Sequence, residues 1–135
     1  MQQATLEGPV VVRAQGSPKQ AYRRLLAWQK ADELAYQIYQ VTKRFPEDER
    51  FGLVSQMRRA GVSVAANIVE GYARSGRKER ARFFEIARAS LTELEYYIDF
   101  TSLRLGWISE AEHSTLSSLR QEAGRLLYGL LRAEQ

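Results

Sequence analysis

Four stretches of this chain repeat apolar residues at steps of three and four, the period of a helix with one buried face. In the first, Ala31, Leu34, Ile38, Val41 and Phe45 share a face. Phe45-Pro46 ends it, because a residue before proline is pushed out of the α region. The second carries Leu53, Met57, Val64 and Ile68 and is expected to stop at Gly71 in a left-handed C-terminal conformation. The third carries Phe83, Ala87, Leu91, Leu94, Ile98, Thr101 and Leu105 and stops at Gly106. The fourth opens on Ser109-Glu110-Ala111-Glu112, a capping box, and continues through Leu116, Leu119, Ala123, Leu126 and Leu130. The spacing predicts helices over about 25–44, 48–70, 77–105 and 109–132. No stretch alternates with period two, so no sheet is expected. Four amphipathic helices with short connections predict an all-α, antiparallel, up-down-up-down four-helix bundle over 25–135.

With 135 residues the chain is one domain's worth and can bury a real core. Residues 1–24 hold Gly8-Pro9, Gly16-Ser17-Pro18 and a short Val10-Val11-Val12 run, and read as a disordered leader. They lack the basic start, long apolar centre and small-residue cleavage site of a signal peptide. No apolar run approaches the roughly 20 residues of a membrane span, so a cytoplasmic location without membrane contact is expected. Cysteine is absent, which excludes disulfides and thiolate metal sites.

Charge is unevenly placed. The net +4 divides into +2 over residues 1–42, +5 over 43–88 and −3 over 89–135. A polyanion is a plausible partner for the basic middle, and a solvated surface is the plainer alternative.

Catalytic and metal chemistry find no candidate. Gly71-Tyr72-Ala73-Arg74-Ser75-Gly76-Arg77-Lys78 approaches a phosphate loop, but Arg77 replaces the lysine and Lys78 the magnesium-binding hydroxyl. Glu110-Ala111-Glu112-His113 offers one Glu-x-x-His step, and His113 is the only histidine, so a di-iron site cannot be completed. Ser63 lacks a histidine partner, and Glu93 and Glu95 point to different helix faces. A non-enzyme without cofactor or metal is expected.

Three sets of residues stand out instead. Arg74, Arg77, Lys78, Arg80 and Arg82 crowd the turn before the third helix and its first turns. Cations there oppose the helix dipole, a placement that makes sense if a phosphate docks; Arg58 is a further candidate contact. Gln56, Arg59, Ser63, Asn67 and Glu70 stack along one face of the second helix. They read either as ligand contacts or as an internal network with Ser90 and Glu93 of the next helix. Ala60, Gly61, Ala65 and Ala66 allow close helix approach and favour the network. Finally, Trp28, Ala35 and Tyr39 on the first helix, and Tyr96, Phe100 and Leu103 on the third, form second apolar faces suited to self-association.

Gln56, Arg59, Ala60, Ser63, Val64, Asn67, Ile68, Glu70 and Gly71 together spell Q-x-x-R-A-x-x-S-[IV]-x-x-N-I-x-E-G. This resembles the signature of the four-helix bundle family encoded in intervening sequences of bacterial 23S ribosomal RNA genes. Trp28-Gln29-Lys30-Ala31, Leu34, Tyr39 and Phe45-Pro46 resemble its first helix. Glu79, Phe83, Ala87, Ser90, Leu91 and Glu93-Leu94-Glu95 resemble its third, so the likeness covers roughly 25–131. Ala65 and Ala89 depart from the proline and glycine common there, which implies a milder kink in the second helix. The resemblance implies a homopentamer. It also implies kinship with accessory variability proteins of diversity-generating retroelements, whose basic bundles associate with nucleic acid and a reverse transcriptase. RNA or DNA, and a reverse transcriptase or ribosomal component, are therefore the implied partners, with an oligomeric protein-interaction scaffold as the alternative.

Overall fold

The computed structural model describes residues 18–135. Four helices span α1 (Leu26–Thr42), α2 (Leu53–Ala73), α3 (Arg77–Asp99) and α4 (Glu110–Ala133), and no strand occurs among the described residues. Each packs against its chain neighbours, and α1 closes the ring against α4. Contacting pairs run in opposite numerical directions at every seam. Ala35 and Thr42 of α1 meet Gly61 and Arg58 of α2, and Gly71 and Ser63 of α2 meet Phe84 and Ser90 of α3. Glu95 and Asp99 of α3 meet Arg120 and His113 of α4, and Lys30 of α1 meets Glu122 of α4. The bundle is antiparallel throughout.

Leu34, Ile38, Met57, Val64, Ile68, Leu94, Ile98, Leu116 and Leu127 are fully buried and form the axis of the core. Aromatic pairs close its ends. Tyr22 meets Trp28 edge-on at 5.3 Å, and Phe45 meets Trp107 at 5.2 Å. The first pair draws residues 18–24, expected as leader, into a 3-10 segment against α1, where Gln29 Nε2 donates to the Arg23 carbonyl at 2.9 Å. The remainder of that expected leader, residues 1–17, lies outside the described residues.

Helix ends differ from the sequence expectation where turn geometry intervenes. After Pro46 the chain makes a 3-10 turn, Glu47–Glu49, so α2 begins at Leu53 rather than near residue 48. Glu49 Oε1 then accepts from the Leu53 N–H at 3.1 Å, satisfying one otherwise orphaned donor. At the far end α2 passes through Gly71 to Ala73. Gly71 is needed for proximity, not for a left-handed cap: a Cβ there would lie 2.6 Å from Phe84 Cε1.

Beyond Asp99, α3 widens into a π turn over Phe100–Arg104, with the Leu105 N–H reaching Phe100 O at 3.1 Å. Gly106 takes φ 68°, and the Trp107 N–H returns to the Thr101 carbonyl at 2.8 Å. The widened turn leaves Leu105 exposed, although the periodicity places it in the core. Phe84 rather than Phe83 fills the core on α3, and on α4 the buried line is Leu116, Ala123, Leu127 and Leu131. Leu119, Leu126 and Leu130 flank that line, half-buried.

The capping box on α4 is present in full. Ser109 Oγ accepts from the Glu112 N–H at 3.1 Å, and Glu112 Oε1 accepts from the Ser109 N–H at 2.8 Å. Arg44, beyond the end of α1, pairs with the same carboxylate. The Ser109 N–H, aided by Arg44, holds the Glu112 carboxyl below the ordinary carboxylate value.

Two predictions follow from this packing. Gly71→Ala, forced against the buried Phe84 ring, is expected to cost about 1–3 kcal/mol in urea melts. Gly129→Ala in α4 meets nothing within 4 Å and is expected to stabilise by about 0.5–1 kcal/mol. Because the folded Glu112 carboxyl titrates low, its contribution is complete above the ordinary value of 4.5. That contribution disappears as pH falls from there through the lower folded value. Glu112→Gln should therefore flatten the acid limb of a plot of stability against pH, measured by denaturant midpoint; an unchanged limb would refute the assignment.

Candidate nucleic-acid interface

The antiparallel topology brings the start of α1, the α2–α3 turn and the end of α4 to one pole of the bundle. Arg23 precedes α1, Arg74, Arg77, Lys78 and Arg82 surround the turn, and Arg132 lies in the last turn of α4. Glu70, Glu79 and Glu134 pair with arginines of the turn and the first turns of α3, and Asp32 lies near Arg23. The sequence reading found the turn and missed Arg23 and Arg132, which are distant along the chain. Their signal was the topology itself: an up-down-up-down bundle must put both chain ends and the middle turn together.

Local contacts hold several of these cations in place. Arg74 Nη2 pairs with Glu70 at 2.6 Å, and Arg82 Nε with Glu79 at 3.5 Å. Both guanidinium carbons lie over the half-buried Phe83 ring, at 4.8 Å and 4.7 Å. Phe83 thus leaves the core to support two arginines. Arg77 and Lys78 are exposed, and neither forms an ion pair within 4 Å among the described residues. The N-termini of α1 and α3 both lie at this pole, behind Leu25 and Gly76, and neither receives a side-chain cap. At the opposite pole Glu49 and the Ser109–Glu112 box serve the N-termini of α2 and α4. At one pole side-chain acceptors serve the helix N-termini, and at the other the N-termini lack side-chain caps and lie among arginines.

Two expected contact residues are not free members of this surface. Arg80 is half-buried, and its Nη1 donates to the carbonyls of Arg74 at 3.2 Å and Ser75 at 2.8 Å. Arg58 lies 16 positions before Arg74 on α2, roughly 24 Å along the helix. Its Nε donates to Thr42 Oγ1 at 3.0 Å and its guanidinium covers the Tyr39 ring at 4.5 Å. It joins α2 to α1 and stands apart from the basic pole.

The polar stripe of α2 divides into three local groups. Arg59 donates to Gln56 at 2.7 Å. Ser63 and Ser90 hydroxyls meet across the α2–α3 seam at 2.9 Å, and Asn67 Nδ2 donates to the Ser63 hydroxyl at 3.0 Å and carbonyl at 2.8 Å. Glu70 turns to Arg74 instead of to α3, and Glu93 accepts from the Tyr97 hydroxyl at 2.7 Å. That hydrogen bond holds the Tyr97 phenol above its ordinary pKa. Only Ser63, Asn67 and Ser90 form the expected cross-helix network.

The apolar residues also rearrange. Trp28, expected at an oligomer interface, is only 6% exposed and packs against Tyr22 and the core. Tyr39 is open on its rim but carries Arg58 on its ring. Tyr96 and Leu103 are exposed at 62% and 72%, and Tyr96 stacks on Phe100 with ring centres 5.7 Å apart. Phe51, which the sequence reading left out, is 90% exposed. Tyr36 and Val62 mark a separate exposed apolar area on the α1–α2 side.

No group of three or more acidic or histidine side chains capable of holding a metal exists among the described residues. No described helix is long and apolar enough to cross a membrane. The fold and surface define a small all-α protein: an antiparallel four-helix bundle with a basic pole and exposed apolar side chains.

A family model of the 23S rRNA-intervening sequence protein matches residues 23–129, and the chain belongs to this family. Among solved structures, it is similar to a protein of unknown function from the S23 ribosomal protein family of Bacteroides thetaiotaomicron. That likeness has a TM-score of 0.70 at 24% identity and covers 78% of this chain and 98% of the other, which supports the shared fold. No curated protein matches the chain.

Proposed function

We propose that this protein is a non-enzymatic, homo-oligomeric bundle that binds RNA or DNA phosphates through Arg74, Arg77, Lys78 and Arg82. One observation carries the reading: the arginines and lysine of the α2–α3 turn lie at the pole where two helix N-termini lack side-chain caps. Arginine over Phe83 is partly pre-ordered, so less side-chain entropy is lost when a phosphate docks. The family's description, which names an intervening sequence of 23S rRNA, makes structured RNA the first ligand to try.

Mobility-shift titrations with ribosomal RNA fragments and duplex DNA at two salt concentrations test this. Wild type should bind with a steep salt dependence. Reversing charge at Arg74, Arg77 and Lys78 should weaken binding by roughly tenfold or more and lower the salt slope by about two. Arg58→Ala should leave that slope unchanged. Equal binding by the charge-reversed protein would remove the basic pole from consideration.

The oligomer is supported by exposed apolar side chains on different parts of the surface, Tyr96 and Leu103 on the α3 side with Phe51 before α2, and Tyr36 and Val62 on the α1–α2 side. Unlike patches on one subunit pair head to tail, and such contacts close into rings, in keeping with the pentamer that the resemblance implies. Light scattering should give a mass several times that of the chain. Phe51→Ser with Leu103→Ser should reduce it to monomer without loss of helical circular dichroism. A monomeric wild type would refute this reading of the exposed apolar side chains.

A further inference from the structure

One acid at the basic pole is placed unlike the others. Glu70 and Glu79 are exposed and pair with arginines of their own or the adjoining turn. Glu134, just past the end of α4, reaches across to the α2–α3 turn. Its Oε1 lies 2.9 Å from Arg80 Nη2, and the two side chains are only 13% and 26% exposed. Through Nη1 the same guanidinium donates to the Arg74 and Ser75 carbonyls, so the turn fixes its orientation. Contact with Arg80, reinforced by the positive charges of Arg80 and Arg77, holds the Glu134 carboxyl below its ordinary value. A carboxylate held in an ion pair by an anchored guanidinium occupies the place that a phosphate oxygen would take.

We propose that Arg80 forms a phosphate seat at the α2–α3 turn, that Glu134 fills it in this conformation, and that a ligand's phosphate group displaces Glu134. The inference rests on the phosphate-binding reading of this pole and adds an internal competitor to it. Glu134 is well placed to yield. It follows the last residue of α4, and its backbone N–H reaches only carbonyls of the terminal turn, those of Leu131 at 3.1 Å and Arg132. Terminal turns of this kind open at little cost. Arg80 would remain oriented after the exchange, because its bonds to Arg74 and Ser75 do not involve α4. The closed seat also explains why an arginine in the middle of a basic turn is half-buried.

The experiment titrates the full chain with inorganic pyrophosphate and, separately, with a short RNA at two salt concentrations. Pyrophosphate binding is followed by the amide resonances of residues 75–78 and the Arg80 Nε–H signal. Glu134→Gln should tighten pyrophosphate binding by roughly fivefold, the equivalent of removing one partly exposed ion pair. It should also steepen the RNA salt slope by about 0.7–0.9, one phosphate contact. Glu134→Asp, which keeps the charge but shortens its reach, should move binding in the same direction. In an Arg80→Gln background the gain should vanish. Equal pyrophosphate affinity in wild type and both Glu134 variants, with their helical spectra intact, overturns the proposal. So does an equal gain from Glu79→Gln, which would reduce Glu134 to bulk charge. Salt-dependent RNA binding without any response to Glu134 would overturn the seat and leave the interface standing. A Glu134-dependent pyrophosphate site in a protein that ignores RNA would do the reverse.

Discussion

The seam between α2 and α3 is the contact from which the other features take their positions. Near the turn it is set by glycine: Gly71 lets the Phe84 ring approach to a distance that no Cβ would allow. Midway it is set by the Ser63–Ser90 hydroxyl pair with Asn67 closing one side. Apolar packing alone tolerates sliding of one helix past another, whereas a close steric fit and a directed polar contact one-third of a helix apart do not. Once that register is fixed, Phe83 lies under Arg74 and Arg82.

The two poles satisfy their helix ends in opposite ways. At one, Glu49, Ser109 and Glu112 supply acceptors to the N-termini of α2 and α4, and Arg44 couples the last of these to α1. At the other, the N-termini of α1 and α3 lack side-chain caps and lie among arginines and a lysine. This arrangement opposes the helix dipole, and each such charge costs a few tenths of a kcal/mol at an exposed site. Packing elsewhere offsets it: α3 is anchored by Phe84, Ala87, Leu91, Leu94 and Ile98 along its length. A fold held by its core can tolerate a locally unfavourable surface, and function concentrates in such places.

Much of the architecture was legible because helical periodicity is strong in this chain. Every residue of the first seam, from Ala31 to Phe45, is buried, and the Ser109 capping box forms with both of its bonds. The departures have definite causes. Phe83 and Phe84 are adjacent aromatics, and periodicity cannot choose between neighbours when the winner is decided by the void opposite Gly71. Leu105 left the core because the π turn adds a residue to the last circuit of α3. Trp28 was read as surface because Tyr22, its cover, belonged to a segment read as leader. Arg58 and Arg80 were read as free cations, since sequence shows charge and not the carbonyl or hydroxyl that occupies it.

By itself the sequence determined the class of fold, the family, the number of helices and the presence of a basic turn. These follow from local spacing, from helix-ending residues and from a signature carried within one helix. The tertiary structure alone decided which cations share a surface, which are already engaged, and which aromatics remain outside. Those outcomes depend on side chains that meet across seams, from segments as far apart as Arg23, Arg80 and Glu134. No periodicity along the chain encodes a distance between them.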